Sequence, residues 1–263
     1  MTQYNTLSSS YDVLDTLPYR TMEAYNVSQV IDALLKPELR VLELACGTGF
    51  YTSKFLERGV AYMAAVDLSH AMLSQAAHRL HHHVSTSHLR LIQGDGSELQ
   101  PLAPDASFGY FDMAFGAWFL NYAEDKARLV AMFRNVSRNI RPGAPFIGIV
   151  PHPTDELHRR AETLHAPPFD RMFPRNVYSG ELDSGDGYGL HVFLNNNGVD
   201  FTTWHMKREV YEDAARLGGF RGPLEWKHEV LLDDAWKQNY DLTPDEWKIR
   251  EANPHFGILI AWN

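Results

Sequence analysis

Apolar positions along this chain switch repeatedly between an alternating and a helical period, and the switches divide it into elements. Val41, Leu42 and Leu44 make a short apolar run, interrupted by Glu43 and followed by Gly47 and Gly49, which reads as strand, tight turn and helix. Residues 53–59 continue that helix, with Phe55 and Leu56 towards a sheet and Gly59 as its stop. Tyr62 to Leu68 reads as a second strand, and Ser69 is a good N-cap for a helix carrying Met72, Leu73, Ala76, Ala77 and Leu80 at helical spacing. A third apolar run ends at Ile92, and Phe111 to Trp118 reads as the fourth strand. Leu129, Met132, Phe133, Val136 and Ile140 then form a helical stripe that Arg141-Pro142-Gly143 ends before a fifth strand, Ala144 to Val150. Strand and helix alternating in this way predict a parallel α/β sheet.

The flanks depart from that rhythm. Val27, Val30, Ile31, Leu34 and Leu35 predict an amphipathic helix ending before Pro37. After the fifth strand, prolines at 153, 167, 168 and 174 leave room only for a short helix over 156–164. Residues 177–182, 189–194 and 201–205 read as three short strands separated by DSGDG and NNNG, an antiparallel insert suited to a lid or a dimer contact. Lys207 to Leu217 reads as a helix stopped by Gly218-Gly219, Leu224 to Leu232 as a sixth strand, and Phe256 to Trp262 as an apolar final strand. Thr243-Pro244-Asp245-Glu246 opens a short helix between them. The organisation expected is one domain, 1–263, with an N-terminal helical cover (1–38), a core (39–150), a lid or insert (151–206) and a completion of the core (207–263).

Composition narrows the function. With 263 residues, 44% hydrophobic and 22% charged, the chain has the make-up of a globular domain with an elaboration. No apolar run approaches a membrane span, and the start MTQYNTLSSSYD lacks a basic region followed by an apolar core, so a cytoplasmic protein without membrane contact is expected. A single cysteine, Cys46, excludes an intramolecular disulfide. A net charge of −9 without a Lys/Arg stripe argues against nucleic acid and for a small-molecule substrate. His78, His81, His82, His83 and His88 cluster, but no cysteine or carboxylate set completes a metal site, so a solvated helix end and no metal are expected.

The chemistry gathers at the strand ends. Gly47 and Gly49 let the backbone adopt positive φ and bring N–H groups close to a ligand at a helix N-terminus. The dinucleotide fingerprint requires a third glycine where this chain has Thr52, which counts against a nicotinamide cofactor. Asp67, ending the second strand, can accept from both hydroxyls of a ribose. Gly94-Asp95-Gly96 follows the third strand and can accept from an exocyclic amine. Glu43, read as an anion four residues before Gly47, would repel a pyrophosphate and tolerate a cationic amino-acid tail.

Glu43-x-x-x-Gly47-x-Gly49, Asp67, Asp95-Gly96, the strand Phe111 to Trp118 and the Arg141-Pro142-Gly143 turn together resemble the class I S-adenosylmethionine-dependent methyltransferases. LACGTGFYT, FLNYAED and WHMKREVYEDAARLGGF look, more narrowly, like microbial small-molecule enzymes of the toxoflavin and teleocidin type. The resemblance implies a Rossmann-like seven-stranded, mostly parallel sheet with an antiparallel last strand. It implies S-adenosyl-L-methionine as cofactor, S-adenosyl-L-homocysteine as product, and a small secondary metabolite as acceptor. Ala45, Leu68, Met72 and Phe115 would join Glu43, Gly47, Gly49, Asp67, Asp95 and Gly96 around the cofactor, with Tyr11 and Tyr19 of the leader reaching its methionyl end or capping the sheet. Trp118, Asn121 and Tyr122 fall where an open α/β sheet places ligands, as substrate contacts or as a wall. His152, immediately after the fifth strand, is the candidate base or a structural histidine; His191 and His205 are the titratable residues of the insert that could meet the substrate. The chain is expected as a monomer or homodimer. A non-methylating rearrangement on the same fold and a non-catalytic cofactor-binding subunit are the alternatives.

Overall fold

The computed structural model describes residues 3, 4, 12–84, 86, 88–195 and 198–263. Seven strands, β1 (Arg40–Leu44), β2 (Tyr62–Asp67), β3 (Leu89–Gln93), β4 (Met113–Ala117), β5 (Pro145–Pro151), β9 (Leu224–His228) and β10 (Phe256–Trp262), lie in the order β3-β2-β1-β4-β5-β10-β9. β1 pairs in parallel with β2 and β4, Leu42 facing Ala64 on one side and Ala114 on the other. β10 runs against both neighbours, with Ile258 opposite Ile149 of β5 and Leu259 opposite Trp226 of β9. The chain leaves β1 first towards β2 and β3 and then crosses back to β4 and β5. The order therefore reverses beside β1, and an open sheet binds ligands at the carboxyl ends of the strands at such a reversal.

Both faces of the sheet are covered, which is why β5 is buried at every residue and reads as a continuous apolar run. On one face α1 (Pro18–Leu34) and α2 (Phe50–Glu57) place Met22, Ile31 and Phe55 in the same apolar layer as Phe115 and Ile147. On the other, α4 (Lys126–Asn139) and α6 (Arg208–Leu217) bury Phe133 and Tyr211 against Phe146 and Phe220. α3 (His70–Arg79) follows β2, capped by the Ser69 hydroxyl, which accepts from the Met72 N–H.

The expected insert is a separate antiparallel sheet, β6 (Arg175–Glu181), β7 (Gly187–Phe193) and β8 (Asp200–Met206), reached through α5 (Leu157–Leu164). A polar chain fastens it to the core. Arg160 donates to the Tyr178 hydroxyl at 3.1 Å, Tyr178 bonds His205 Nδ1 at 2.7 Å, and His205 Nε2 donates to the His152 carbonyl at 3.1 Å.

Three boundaries differ from the sequence reading. α1 begins nine residues early, at Pro18, because its first turns bury Arg20 and Glu23, polar residues that break the apolar pattern. β4 begins at Met113: Phe111 makes only a bridge to Ile140, and the Asp112 carboxylate is taken by Arg40. β9 stops at His228 because the Val230 N–H and carbonyl both bond the Asn26 side chain of α1 at 2.8 Å instead of continuing along β10.

A buried ion pair ties α7 (Pro244–Ala252) to the segment after β9. Arg250 Nη2 lies 2.6 Å from Glu229 Oε1 with both side chains 1% exposed, while Glu229 Oε2 accepts the N–H of His255, just before β10. Breaking such a pair strands a buried charge, so Glu229→Gln is expected to cost about 3–5 kcal/mol. Urea unfolding checks this, and a loss below about 1 kcal/mol would show that the pair does not hold this end of the sheet.

Candidate functional site

The turn after β1 is built from backbone conformations that few residues accept. Ala45, Gly47 and Gly49 take φ of 56°, 54° and 81°. Gly47 has open space where a Cβ would project, whereas a Cβ on Gly49 would lie 2.8 Å from Leu80 Cδ1, so Gly49 lets the turn approach the end of α3. The turn is held from β2: Asp67 Oδ2 accepts the Gly47 N–H at 2.9 Å, its Oδ1 accepts the Ser69 N–H at 2.8 Å, and the Cys46 N–H donates to the Val66 carbonyl. Burial raises the Asp67 pKa against these two backbone hydrogen bonds.

In front of the turn lies a cavity of about 710 Å³. It brings together Ala45, Gly47, Asp67, Leu68, Met72, Asp95, Gly96, Trp118 and Tyr122, nine of the residues expected from the sequence. Leu68 is 48% exposed at its edge, an apolar side chain placed to be covered by a flat apolar group. Asp95 follows β3 and also lines the cavity. Its Oδ1 accepts from the Ser97 N–H and hydroxyl and its Oδ2 from Arg128 Nη2 at 2.8 Å. Burial pushes the Asp95 pKa up, but these bonds outweigh it and the carboxylate lies below its ordinary value. Gly96 is needed for packing, since a Cβ there would come within 2.5 Å of the Phe119 ring.

Trp118 carries an unusual backbone, a non-glycine residue at φ 57°. Its indole N–H donates to Glu23 Oε2 at 2.8 Å, and the same buried carboxylate takes the Tyr51 hydroxyl at 2.6 Å and Arg20 Nη1 at 2.5 Å. These bonds aim the indole into the cavity wall. The leader and the insert add the rest: Gln3 makes two hydrogen bonds to the Thr202 backbone of β8, and the Tyr4 and Tyr122 hydroxyls bond each other. Burial raises the Tyr122 pKa, leaving the phenol protonated.

Other expected site residues lie elsewhere. Glu43 is 1% exposed beneath the turn, its Oε2 accepting the Thr52 hydroxyl at 2.6 Å. Desolvation, opposed by the Thr52 bond and helped by Asp67, lifts its pKa to about 8. The carboxyl is therefore mostly neutral at pH 7, which corrects its reading as an anion that selects a cationic tail. Phe115 is wholly buried against Tyr51 and Phe55, behind the cavity wall. Tyr19 and Asn121 face a second, smaller cavity. Tyr11 falls outside the described residues.

The three histidines are corrected too. His152 lines neither cavity, and its ring lies beside that of His228. Burial first, then Arg160, lowers its pKa to about 4, and its ring does not stand at the strand-end cavity as expected of a base. His205 has both ring nitrogens engaged in the chain that anchors the insert. His191 bonds Asp200 at 2.7 Å and stacks on Phe193, away from the cavities. Among the described residues no group of three or more His, Cys, Asp or Glu could hold a metal ion, and no helix is long and apolar enough to cross a membrane.

Sequence reasoning missed Phe119, Arg128 and Thr202, which also line the large cavity. Arg128 carried a faint signal, one turn into a helix capped by Asp125. Thr202 lies on β8, some eighty residues along the chain from β4, and no local pattern joins it to the strand end.

Residues 41–143 match a family model described as a methyltransferase domain. The chain is 25% identical to mRNA cap guanine-N(7) methyltransferase 1 of Arabidopsis thaliana over 84% of its own length and 69% of that protein. It spans 29 to 35% of the fungal cap enzymes it also matches. An S-adenosylmethionine-dependent methyltransferase from Mesorhizobium loti shares the fold with a TM-score of 0.56 at 19% identity, over 92% of this chain and 100% of that one. The 1,6-didemethyltoxoflavin-N1-methyltransferase of Burkholderia thailandensis does so with a TM-score of 0.52 at 16% identity, over 94% and 78%.

The buried Glu43 has a pH signature. Its native pKa lies above the roughly 4.3 of an unfolded glutamate. The native state therefore keeps a proton that the unfolded chain loses, and stability falls as pH rises from about 5 to 8, by up to about 1.4 kcal/mol per unit, then levels off. Glu43→Gln keeps an acceptor for Thr52 and should flatten that slope. Urea midpoints measured across the range check this, and parallel profiles for the two proteins would contradict it.

Proposed function

We propose that this chain, an S-adenosylmethionine-dependent methyltransferase with the class I fold, methylates a small molecule whose acceptor atom is presented at Trp118 and Tyr122. The observation that carries the reading is the pair of carboxylates, Asp67 and Asp95, at the ends of the neighbouring strands β2 and β3, both lining one cavity in front of the turn. Asp67 has lone pairs left beyond its two backbone bonds to accept ribose hydroxyls, and Asp95 with Ser97 offers the polar edge an adenine needs. Leu68 and Met72 supply the apolar contact for the ring. Bound S-adenosylmethionine supplies an electrophilic methyl carbon on a sulfonium, with a neutral thioether as leaving group.

The protein's contribution is then alignment and exclusion of water. Trp118, fixed by Glu23, and Tyr122, bonded to Tyr4, form an aromatic wall against which a flat acceptor can be held. With His152 outside the cavity and the Tyr122 phenol protonated, a nucleophile that needs no strong base fits best, such as a ring nitrogen or an acidic N–H or O–H. A secondary metabolite of the toxoflavin kind agrees with this wall, and the Burkholderia thailandensis enzyme carries a ring-nitrogen specificity in its name. A second reading, an mRNA cap, is favoured by the likeness to the Arabidopsis thaliana enzyme. The net charge of −9 weighs against it, because a cap brings phosphates that need cations.

Mass analysis of reactions with heterocyclic small molecules and with capped RNA separates the two. A methylated heterocycle with unmodified RNA is expected, and methylated cap alone would overturn the small-molecule reading. In the same assay Asp67→Ala should raise the KM for S-adenosylmethionine about tenfold or more by removing the ribose acceptor. An unchanged KM would remove Asp67 from the cofactor site.

A further inference from the structure

Trp118 and Tyr122 line not only the large cavity but also a smaller one of about 50 Å³, set among α1, the end of β4, the insert and the start of β10. Its walls are aromatic and aliphatic, with Tyr19 and Phe201 among them. Polar side chains interrupt them: Glu23 and Asn176, and also Asn121, Thr203 and His255, which are 2%, 0% and 4% exposed. Asn121 Oδ1, Thr203 Oγ1 and His255 Nδ1 have no hydrogen-bond partner among the described residues. These atoms come from three separate parts of the chain, the turn after β4, strand β8 and the residue before β10. Buried polar atoms are nearly always paired, and three orphans around one void call for a partner that the described residues do not supply.

The surroundings specify that partner. Glu23 is the charged residue of this wall, and its carboxylate is already occupied by Arg20, Tyr51 and Trp118, so no free charge faces the void. A charged group would enter unpaired and at high cost, whereas an uncharged one would not. Burial, together with Arg250 and Arg160, holds the His255 pKa well below its ordinary value, so the imidazole presents as a neutral ring. An amide, a hydroxyl and a neutral imidazole can together satisfy a group that both donates and accepts. The volume corresponds to roughly four waters, enough for the edge of a ring and too little for a whole substrate.

We propose that the small cavity is the acceptor subsite and takes the lactam-type edge, a cis N–H and C=O, of an uncharged planar heterocycle. The rest of the ring then reaches past Trp118 and Tyr122 to present its nucleophilic atom to the large cavity. This rests on the methyl-transfer reading above.

Fluorine NMR with a fluorinated uracil, whose ring carries such edges, tests the subsite on the full chain saturated with S-adenosylhomocysteine. Thr203→Val and Asn121→Leu should each weaken probe binding about fivefold, the worth of one hydrogen bond, while S-adenosylhomocysteine affinity stays within about twofold. Both substitutions remove an unpaired buried group, so the melting temperature of the free variants should rise, and Thr203→Ser should restore probe binding. No binding of the probe to wild type, as a void filled by water would give, overturns the proposal. Binding untouched by the substitutions, or displacement of the probe by benzoate, also overturns it. Failure of S-adenosylhomocysteine to bind wild type, with probe binding still sensitive to Thr203, would sink the cofactor reading and leave the subsite standing.

Discussion

The contact on which the site depends is the grip of the Asp67 carboxylate on two backbone N–H groups, Gly47 of the turn and Ser69 at the head of α3. It joins the ends of β1 and β2, forces the turn to face the sheet's carboxyl edge, and leaves the acid on the wall of the large cavity. Beneath it, Thr52 donates to Glu43, so the position that a dinucleotide-binding turn gives to glycine is used here for a buried hydrogen bond. The turn is supported from below by the nearly neutral Glu43 carboxyl and from the side by the Asp67 carboxyl. Either acid alone would leave buried donors without acceptors.

Around that turn the cavity is closed by elements distant in sequence. The insert contributes Trp204 and Thr202, and Gln3 pairs with the Thr202 backbone, so the leader and β8 form one rim. Trp118 sits between the two cavities with its backbone in the left-handed region, held by Glu23 from α1 and by its own N–H to Ile149. A bulky residue keeps such a conformation only where its surroundings fix it. Here they fix an aromatic wall at the carboxyl end of β4, where an open α/β sheet presents its ligands.

The order of elements, the seven-stranded sheet and the insert were legible because period, glycine position and strand-end acids are local features. Asp67, Asp95 and Gly96 could be read for the same reason: each closes a strand by a few residues. The errors come from properties that sequence does not carry. Glu43 looks like an anion in one dimension and is a desolvated carboxyl in three. His152 follows β5 directly, yet its carbonyl serves the anchor of the insert and its ring turns towards His228. The extension of α1 was hidden by Arg20 and Glu23, polar residues that are buried because they satisfy one another. Thr203 and His255 gave no signal at all, since their meaning depends on lying around one void with Asn121.

The central claim is that the cavity in front of the 45–49 turn holds S-adenosylmethionine and not a nicotinamide nucleotide. Calorimetric titration of the purified chain with S-adenosylhomocysteine, and separately with NADH, tests it most directly. The structure predicts saturable binding of S-adenosylhomocysteine at one site and none of NADH. Binding of NADH with no heat from S-adenosylhomocysteine would contradict it and return the turn, Asp67 and Thr52 to a different chemistry.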